Sequence, residues 1–261
     1  MGRIMDKATS KLLFLENVDS TNTYAKNNFD QLEDGTLVVA DTQSAGRGRL
    51  GRVWVSPPGV NIYASFVMKN CQNPFGATQV LSLGALKMLR ALPGAEKLPL
   101  WIKWPNDLYC GDRKLAGVLC EGVLSRHGVI AGIGINLNLS PSELEKISQP
   151  AISMSAATGM KYNLKKTIAA LDKSIKECYI IYNSCEKDIF SEWKSNNYLV
   201  GHQVKIDNGR ECFSAWVEDI APDGQLVVSC DNRQFNLACG DVSIVKDSID
   251  FAAIIQKSKQ N

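Results

Sequence analysis

Histidine is almost missing from this sequence, and the two that occur, His127 and His202, lie far apart. A zinc site would have to combine them with cysteines, and no CxxC or compact Cys/His spacing supports one. Charge excess is missing too, since 29 Lys plus Arg against 27 Asp plus Glu leave a net +2. Bulk nucleic-acid binding depends on neutralising many phosphates, so this balance argues against it and leaves anion recognition to local features. No apolar run approaches the about 18 residues of a membrane span. Nothing repeats internally, and the phosphate-loop pattern GxxxxGK[ST] does not occur. The first residues lack a basic segment followed by an apolar one, so the eight cysteines read as reduced thiols of a soluble, cytoplasmic protein with no membrane partner.

What is present is concentrated in residues 42–54, TQSAGRGRLGRVW, where Gly46, Gly48 and Gly51 alternate with Arg47, Arg49 and Arg52. Glycine lets backbone approach a ligand, and each guanidinium can fork onto carboxylate or phosphate oxygens. The stretch matches GxGxxG literally, but it lacks the downstream acid and βαβ setting of a dinucleotide site. A small-anion site, a basic surface turn and a nucleic-acid contact remain open at this point.

Around that stretch the chain reads as α+β. A strand is expected over 11–15, then a turn at 19–22 that caps a helix from about Thr23. Ser20 and Thr21 are either caps or polar groups beside a cleft. Strands follow over 37–40 and 60–68, with a helix over 76–92 stopped by Pro93-Gly94. Strands at 100–104, 114–123 and 129–136 come next, with a hairpin turn at Gly111-Asp112. Gly132 and Gly134 inside a strand point to a close backbone or ligand approach. Residues 140–158 turn polar and read as a lid or a surface loop. A long helical region spans 164–193, and Asn196-Asn197 is the linker candidate. Beyond it come short strands at 203–206, 212–220, 225–229, 233–237 and 242–245, with turns at 207–209 and 222–224. The expected organisation is a catalytic domain over 1–196 and a small β-barrel over 197–261.

Several stretches could converge on the arginine loop. Asn106 and Asp107 lie just past a strand, and the carboxylate suits a magnesium ion. Lys114 stands on the next strand, either as a solvated edge lysine or as a fixed positive charge opposite a transferring phosphate.

Taken together, Asp19-Ser20-Thr21-Asn22, GRGRLGRxW over 46–54, Lys103-Trp104-Pro105-Asn106-Asp107, Arg113-Lys114-Leu115-Ala116-Gly117 and Gly132-Ile133-Gly134-Ile135-Asn136 resemble a biotin protein ligase over about residues 12–140. The resemblance implies a mixed-sheet catalytic domain like that of class II aminoacyl-tRNA synthetases and biotin synthetases, with a small C-terminal SH3-like β-barrel. It implies ATP-dependent formation of biotinyl-5'-AMP, then transfer of biotin to a lysine of a biotin carboxyl carrier protein of acetyl-CoA carboxylase or a related carboxylase. It further implies ATP and Mg2+ as cofactors. Carried over residue by residue, Ser20, Thr21, Asn22, Gln43, Gly46, Arg47, Lys114 and Gly117 would bind biotin. Arg49, Arg52, Trp54, Asn106, Asn136 and Lys246 would bind nucleotide, and Asp107 would bind metal. Lys114, Arg49 and Arg47 would carry the chemistry. A plain core role for Trp54 stays open, and Lys246 stands where the family tends to place an arginine. Only residues 1–10 precede the first strand, so the DNA-binding helix-turn-helix of bifunctional relatives, and DNA as a partner, are not expected; a homodimer remains open. Two rival readings are a lipoate- or octanoate-type acyl ligase or transferase and a nucleic-acid-binding regulatory module.

Overall fold

The computed structural model describes residues 11–71, 73–207, 212–231, 233–238, 241–244 and 250–258. In chain order the elements are β1 (Leu12–Val18), α1 (Thr21–Asn27), β2 (Leu37–Gln43), β3 (Ile62–Met68), α2 (Pro74–Arg90), β4 (Leu100–Lys103), β5 (Asp107–Cys110), β6 (Arg113–Val123) and β7 (Gly128–Ile135). Then follow α3 (Pro141–Leu144), α4 (Met154–Thr158), α5 (Leu164–Ser184), α6 (Glu186–Ser195), β8 (Gln203–Asp207), β9 (Cys212–Ile220), β10 (Leu226–Cys230), β11 (Arg233–Leu237), β12 (Asp241–Ile244) and α7 (Phe251–Ser258).

The first seven strands form one mixed sheet in the order β1-β2-β3-β7-β6-β5-β4. Only β1 and β2 run parallel, joined through α1. Because side chains alternate across a strand, each strand divides its residues between two faces. Leu37, Val39, Phe66, Met68, Val129 and Ala131 lie in the main core with the apolar side of α2 and with Leu171, Ile175 and Cys178 of α5. Burying each such large side chain contributes about 1.5–3 kcal/mol. Val38, Val67 and Ile130 belong to a second cluster, with Ala25 and Phe29 from the α1 region. That helix has only seven residues. It covers one end of its face and leaves the other end open.

The structure differs from the expected elements in particular ways. Strand β5 is additional: Asp107 opens it, and the Gly111-Asp112 turn joins it to β6. The helical run over 164–193 is broken at Cys185, whose extended backbone (φ −156°, ψ 95°) both ends α5 and starts α6. Segment 140–158 carries two short helices, with Ser153 capping the second by accepting from Ala156 N. Asn196 and Asn197 are buried, and Ile102 N donates to Asn196 O at 3.0 Å.

The expected SH3-like β-barrel is the main correction. Among the described residues the C-terminal strands form an open five-stranded antiparallel sheet, in the order β11-β10-β9-β8-β12. All partners of β11 lie on β10 and all partners of β12 lie on β8, so β11 and β12 are opposite edges and do not meet. Alternation along β9 does give one buried face, through Ala215 and Val217 with Trp216 and Glu218 outside. That face has no need to close on itself, because its residues belong to the same core cluster as the first sheet. Of the expected turn at 207–209 and strand at 242–245, residues 208, 209 and 245 lie outside the described residues.

Candidate active site

On the sheet face that α1 leaves uncovered, hydrogen-bond register aligns residues of neighbouring strands in rows with glycines at their centre. One row runs Tyr63, Gly134, Gly117, Asp107, Lys103 across β3, β7, β6, β5 and β4. A second runs Ser65, Gly132, Leu119. Glycines here create a floor instead of a packed surface. A Cβ on Gly134 would overlap the Trp54 indole, and one on Gly132 would overlap the Asn22 amide. The strand glycines therefore accommodate neighbouring side chains of the protein itself.

Above this floor lies a cavity of about 310 Å3, at the lower end of the range for small-molecule sites. Its polar end is a connected network. Thr21 N donates to Gln43 Oε1 at 2.8 Å, and Gln43 Nε2 donates to Ser56 Oγ at 3.0 Å. Ser65 Oγ, fully buried, lies 2.8 Å from Thr21 Oγ1 and 2.6 Å from Asn22 Oδ1. Ser20 is the N-cap of α1 by position, but its side chain makes no capping hydrogen bond. It lines the cavity.

The glycine–arginine stretch forms a hairpin-like excursion over the cavity. Arg47 bridges to Val53, Gly48 N donates to Arg52 O at 2.7 Å, and Trp54 N donates to Gly46 O at 2.9 Å. At its tip Leu50 (φ 54°) and Gly51 (φ 74°) adopt the left-handed conformation, which is uncommon for leucine and natural for glycine. Leu50 and Val53 are exposed there. Arg49 Nη1 donates to Asn106 Oδ1 at 2.9 Å, and Asn106 Nδ2 donates to Val118 O at 2.6 Å.

The charged end is set by Lys114, whose Nζ is 2.8 Å from Asp107 Oδ2 with both side chains largely buried. The same ammonium lies 5.6 Å from the Trp54 ring centroid, within cation–π range. The Lys114 backbone is held by segment 150–152: its N donates to Pro150 O and its O accepts from Ile152 N, both at 3.0 Å. Asp107 Oδ1 is buried without a hydrogen-bond partner. Among the described residues no cluster of three His, Cys, Asp or Glu forms a protein-only metal cage.

Of the residues expected at the site, Ser20, Thr21, Asn22, Gln43, Arg47, Arg49, Arg52, Trp54, Asn106, Asp107, Lys114 and Gly117 line this one cavity. Gly46 sits just behind, packed against Trp54 O and Ser56 Oγ. Asn136 does not line the cavity. It is buried, and its Nδ2 donates to Ile152 O at 3.3 Å, so it braces the segment that holds Lys114. Lys246 lies outside the described residues. Sequence reasoning missed Ser65, Glu121, Tyr109, Gln149 and Val242, of which the last three also line the cavity. A period of two from Gly117 through Leu119 would have placed Glu121 on the cavity face, and Ser65 is the lone serine in an apolar strand.

Comparison with known proteins agrees with this geometry. Residues 14–138 match the profile of the Biotin/lipoate A/B protein ligase family. The bifunctional ligase/repressor BirA of Escherichia coli K12 is 32% identical over 238 residues, covering 87% of this chain and 72% of that protein. The biotin–[acetyl-CoA-carboxylase] ligase of Mycobacterium tuberculosis is 26% identical, over 80% of this chain and 79% of that protein. Among solved structures, the biotin protein ligase of Aquifex aeolicus in complex with biotin and ATP aligns with a TM-score of 0.75 and 30% identity, covering 89% of this chain and 97% of that one. With a relative this similar along most of both chains, and with the motif residues gathered around one cavity, the chain belongs to the biotin protein ligase family.

Proposed function

We infer that the protein activates biotin with ATP and transfers it to a lysine of an acceptor protein. The observation that carries this reading is the joining, in one cavity, of a hydrogen-bonding polar end with an end bearing Lys114, Arg49 and Arg52. A carboxylic acid with a polar head, together with a nucleotide, is the ligand pair such a division suits.

In the first step a biotin carboxylate oxygen attacks the α-phosphorus of ATP. The new O–P bond gives biotinyl-5'-AMP as the α–β bridging bond breaks and pyrophosphate leaves. In the second step the acceptor amine attacks the acyl carbon, the mixed-anhydride C–O bond breaks, AMP leaves and the amine loses a proton. Neither step needs a protein nucleophile, so positioning and fixed positive charge are the protein's contribution. We assign Lys114 and Arg49 to the reacting carboxylate and phosphate. Ser20, Thr21, Asn22, Gln43 and Arg47 are assigned to the head of biotin, with Gly117 allowing close approach and Gly46 letting the loop pack against Ser56 behind the cavity. Arg52, Trp54 and Asn106 are assigned to the nucleotide.

Magnesium fits Asp107, whose orphaned Oδ1 is the kind of single carboxylate ligand that this ion uses together with phosphates and water. When bound, the ion would neutralise phosphate charge.

The proposed acceptor is the biotin carboxyl carrier protein of a carboxylase, encountered in the cytoplasm. Among the described residues no helix is long and apolar enough to cross a membrane. We also read 197–261 as a second domain seated on the first, with Trp104 Nε1 donating to Gly224 O at 2.8 Å between them.

Biotin-dependent exchange of labelled pyrophosphate into ATP tests the reading, because activation is reversible. Exchange should require biotin and magnesium together. No exchange with both present, or calorimetric binding of lipoate and not biotin, would overturn it.

A further inference from the structure

Glu121 lies on the cavity side of β6 but does not line the cavity. Its Oε2 accepts hydrogen bonds from two residues that do, through Asn22 Nδ2 and Arg47 Nη2, each at 2.8 Å. Asn22 belongs to the fixed floor. It is buried, its Nδ2 also donates to Leu119 O at 3.0 Å, its Oδ1 accepts from Ser65 Oγ, and it fills the space beside Gly132. Arg47 belongs to the hairpin-like loop above. Its side chain is 45% exposed, and its contact with Thr23 Oγ1, at 3.5 Å, is at the limit of a hydrogen bond.

We propose that Glu121 is a positioning residue that ties the glycine–arginine loop to the polar end of the cavity, holding Arg47 over Asn22 before ligand arrives. An amide N–H2 and a guanidinium are both donors and cannot satisfy one another. A carboxylate oxygen, with acceptor capacity only, can take both. An exposed ion pair contributes little by itself. Here the carboxylate is only 22% exposed and is held by Asn22, so the anchor is fixed before Arg47 joins it. Order established in the free protein does not have to be established on binding, so the effect falls on affinity.

The binding half of this inference rests on the biotin reading; the loop half does not. In the ligand-free protein, Glu121→Gln should speed amide hydrogen exchange across residues 46–54, including the bonded Gly48 and Trp54 amides, on the order of tenfold. In calorimetry with biotin alone, the same variant should weaken binding on the order of tenfold, with kcat at saturating biotin nearly unchanged. Combined with Arg47→Ala, it should add little beyond Arg47→Ala alone. Glu121→Asp keeps the charge but shortens the reach, and should shift exchange and affinity in the same direction if Glu121→Gln does not fold. Unchanged loop exchange would overturn the proposal whatever the ligand. Full additivity with Arg47→Ala, or a loss in kcat without loss of affinity, would also overturn it. Absence of biotin binding by the unmodified protein would instead defeat the biotin reading, and loop exchange would still decide the role of Glu121.

Discussion

Lys114 Nζ and Asp107 Oδ2 face each other at 2.8 Å over the glycine row that runs through Gly117 and Gly134. The side chain assigned to the reacting phosphate is thus also the counter-ion of the side chain assigned to the metal. Lys114→Ala removes both relationships. Loss of a fixed charge at the reacting centre should lower adenylate formation on the order of 10²–10³-fold. The stranded carboxylate should also lower stability, on the order of 1–3 kcal/mol. Adding Asp107→Asn should recover the unfolding midpoint while leaving pyrophosphate exchange low. Recovery of both together would make Lys114 a purely structural residue.

Gly134 and Trp54 make a second such pair. A Cβ at position 134 would overlap the indole, so Gly134→Ala has to displace Trp54 toward solvent. The residue is partly exposed, and the unfolding midpoint should fall by only a few degrees. The cavity would lose its flat wall beside Lys114. ATP affinity measured by calorimetry should fall about tenfold, the scale of an aromatic contact. Unchanged ATP affinity would remove Trp54 from the nucleotide site.

Much of the cavity lining is legible in sequence through the resemblance carried by five ordered motifs, since residue types alone left the arginine loop open among an anion site, a surface turn and a nucleic-acid contact. The strands and α2 are legible for a different reason: alternation and helical period record which face is buried. The strand period puts Glu121 on the cavity face, but its partners escape because they lie 74 and 99 positions away, at Arg47 and Asn22, and no local pattern encodes contacts at that distance. Strand β5 escapes because four residues directly after Pro105-Asn106 give too short an alternation to separate from a loop. The break at Cys185 falls where an apolar stripe continues on both sides, so the period alone does not reveal the turn. The open C-terminal sheet escapes because alternation specifies a buried face and says nothing of whether two edge strands meet.

The cysteines provide a test of burial that is independent of function. Burial pushes the Cys110 and Cys178 thiols up to about 11 and the Cys120 thiol up to about 12. It raises Cys71 as well. The thiolate is the reactive form, so these four should resist iodoacetamide at pH 8, while exposed Cys212 is modified. Peptide mass spectrometry of the native and the urea-unfolded protein reads the outcome directly. Rapid native labelling at Cys120 would contradict its placement on β6 against Thr78 of α2.

Asp172 on α5 gives a pH dependence with a definite sign. Burial raises its pKa above the ordinary 3.8, against the lowering effect of its hydrogen bond and charge interaction with Lys176. Its Oδ2 is 2.7 Å from Lys176 Nζ, while Oδ1 is buried without a partner. With the folded value above the unfolded one, the folded state binds more protons between the two. The stability contributed by this group is therefore fully present below the unfolded pKa and is lost as pH rises through the folded value. Asp172→Asn cannot titrate, so the variant should lack that loss. Whatever the variant's absolute unfolding midpoint, its difference from the parent should move in the variant's favour between pH 3.5 and pH 7. Thermal unfolding of both proteins across that interval checks the trend. A difference that stays flat, or moves toward the parent as pH rises, would mean that the Lys176 contact outweighs burial at this carboxylate.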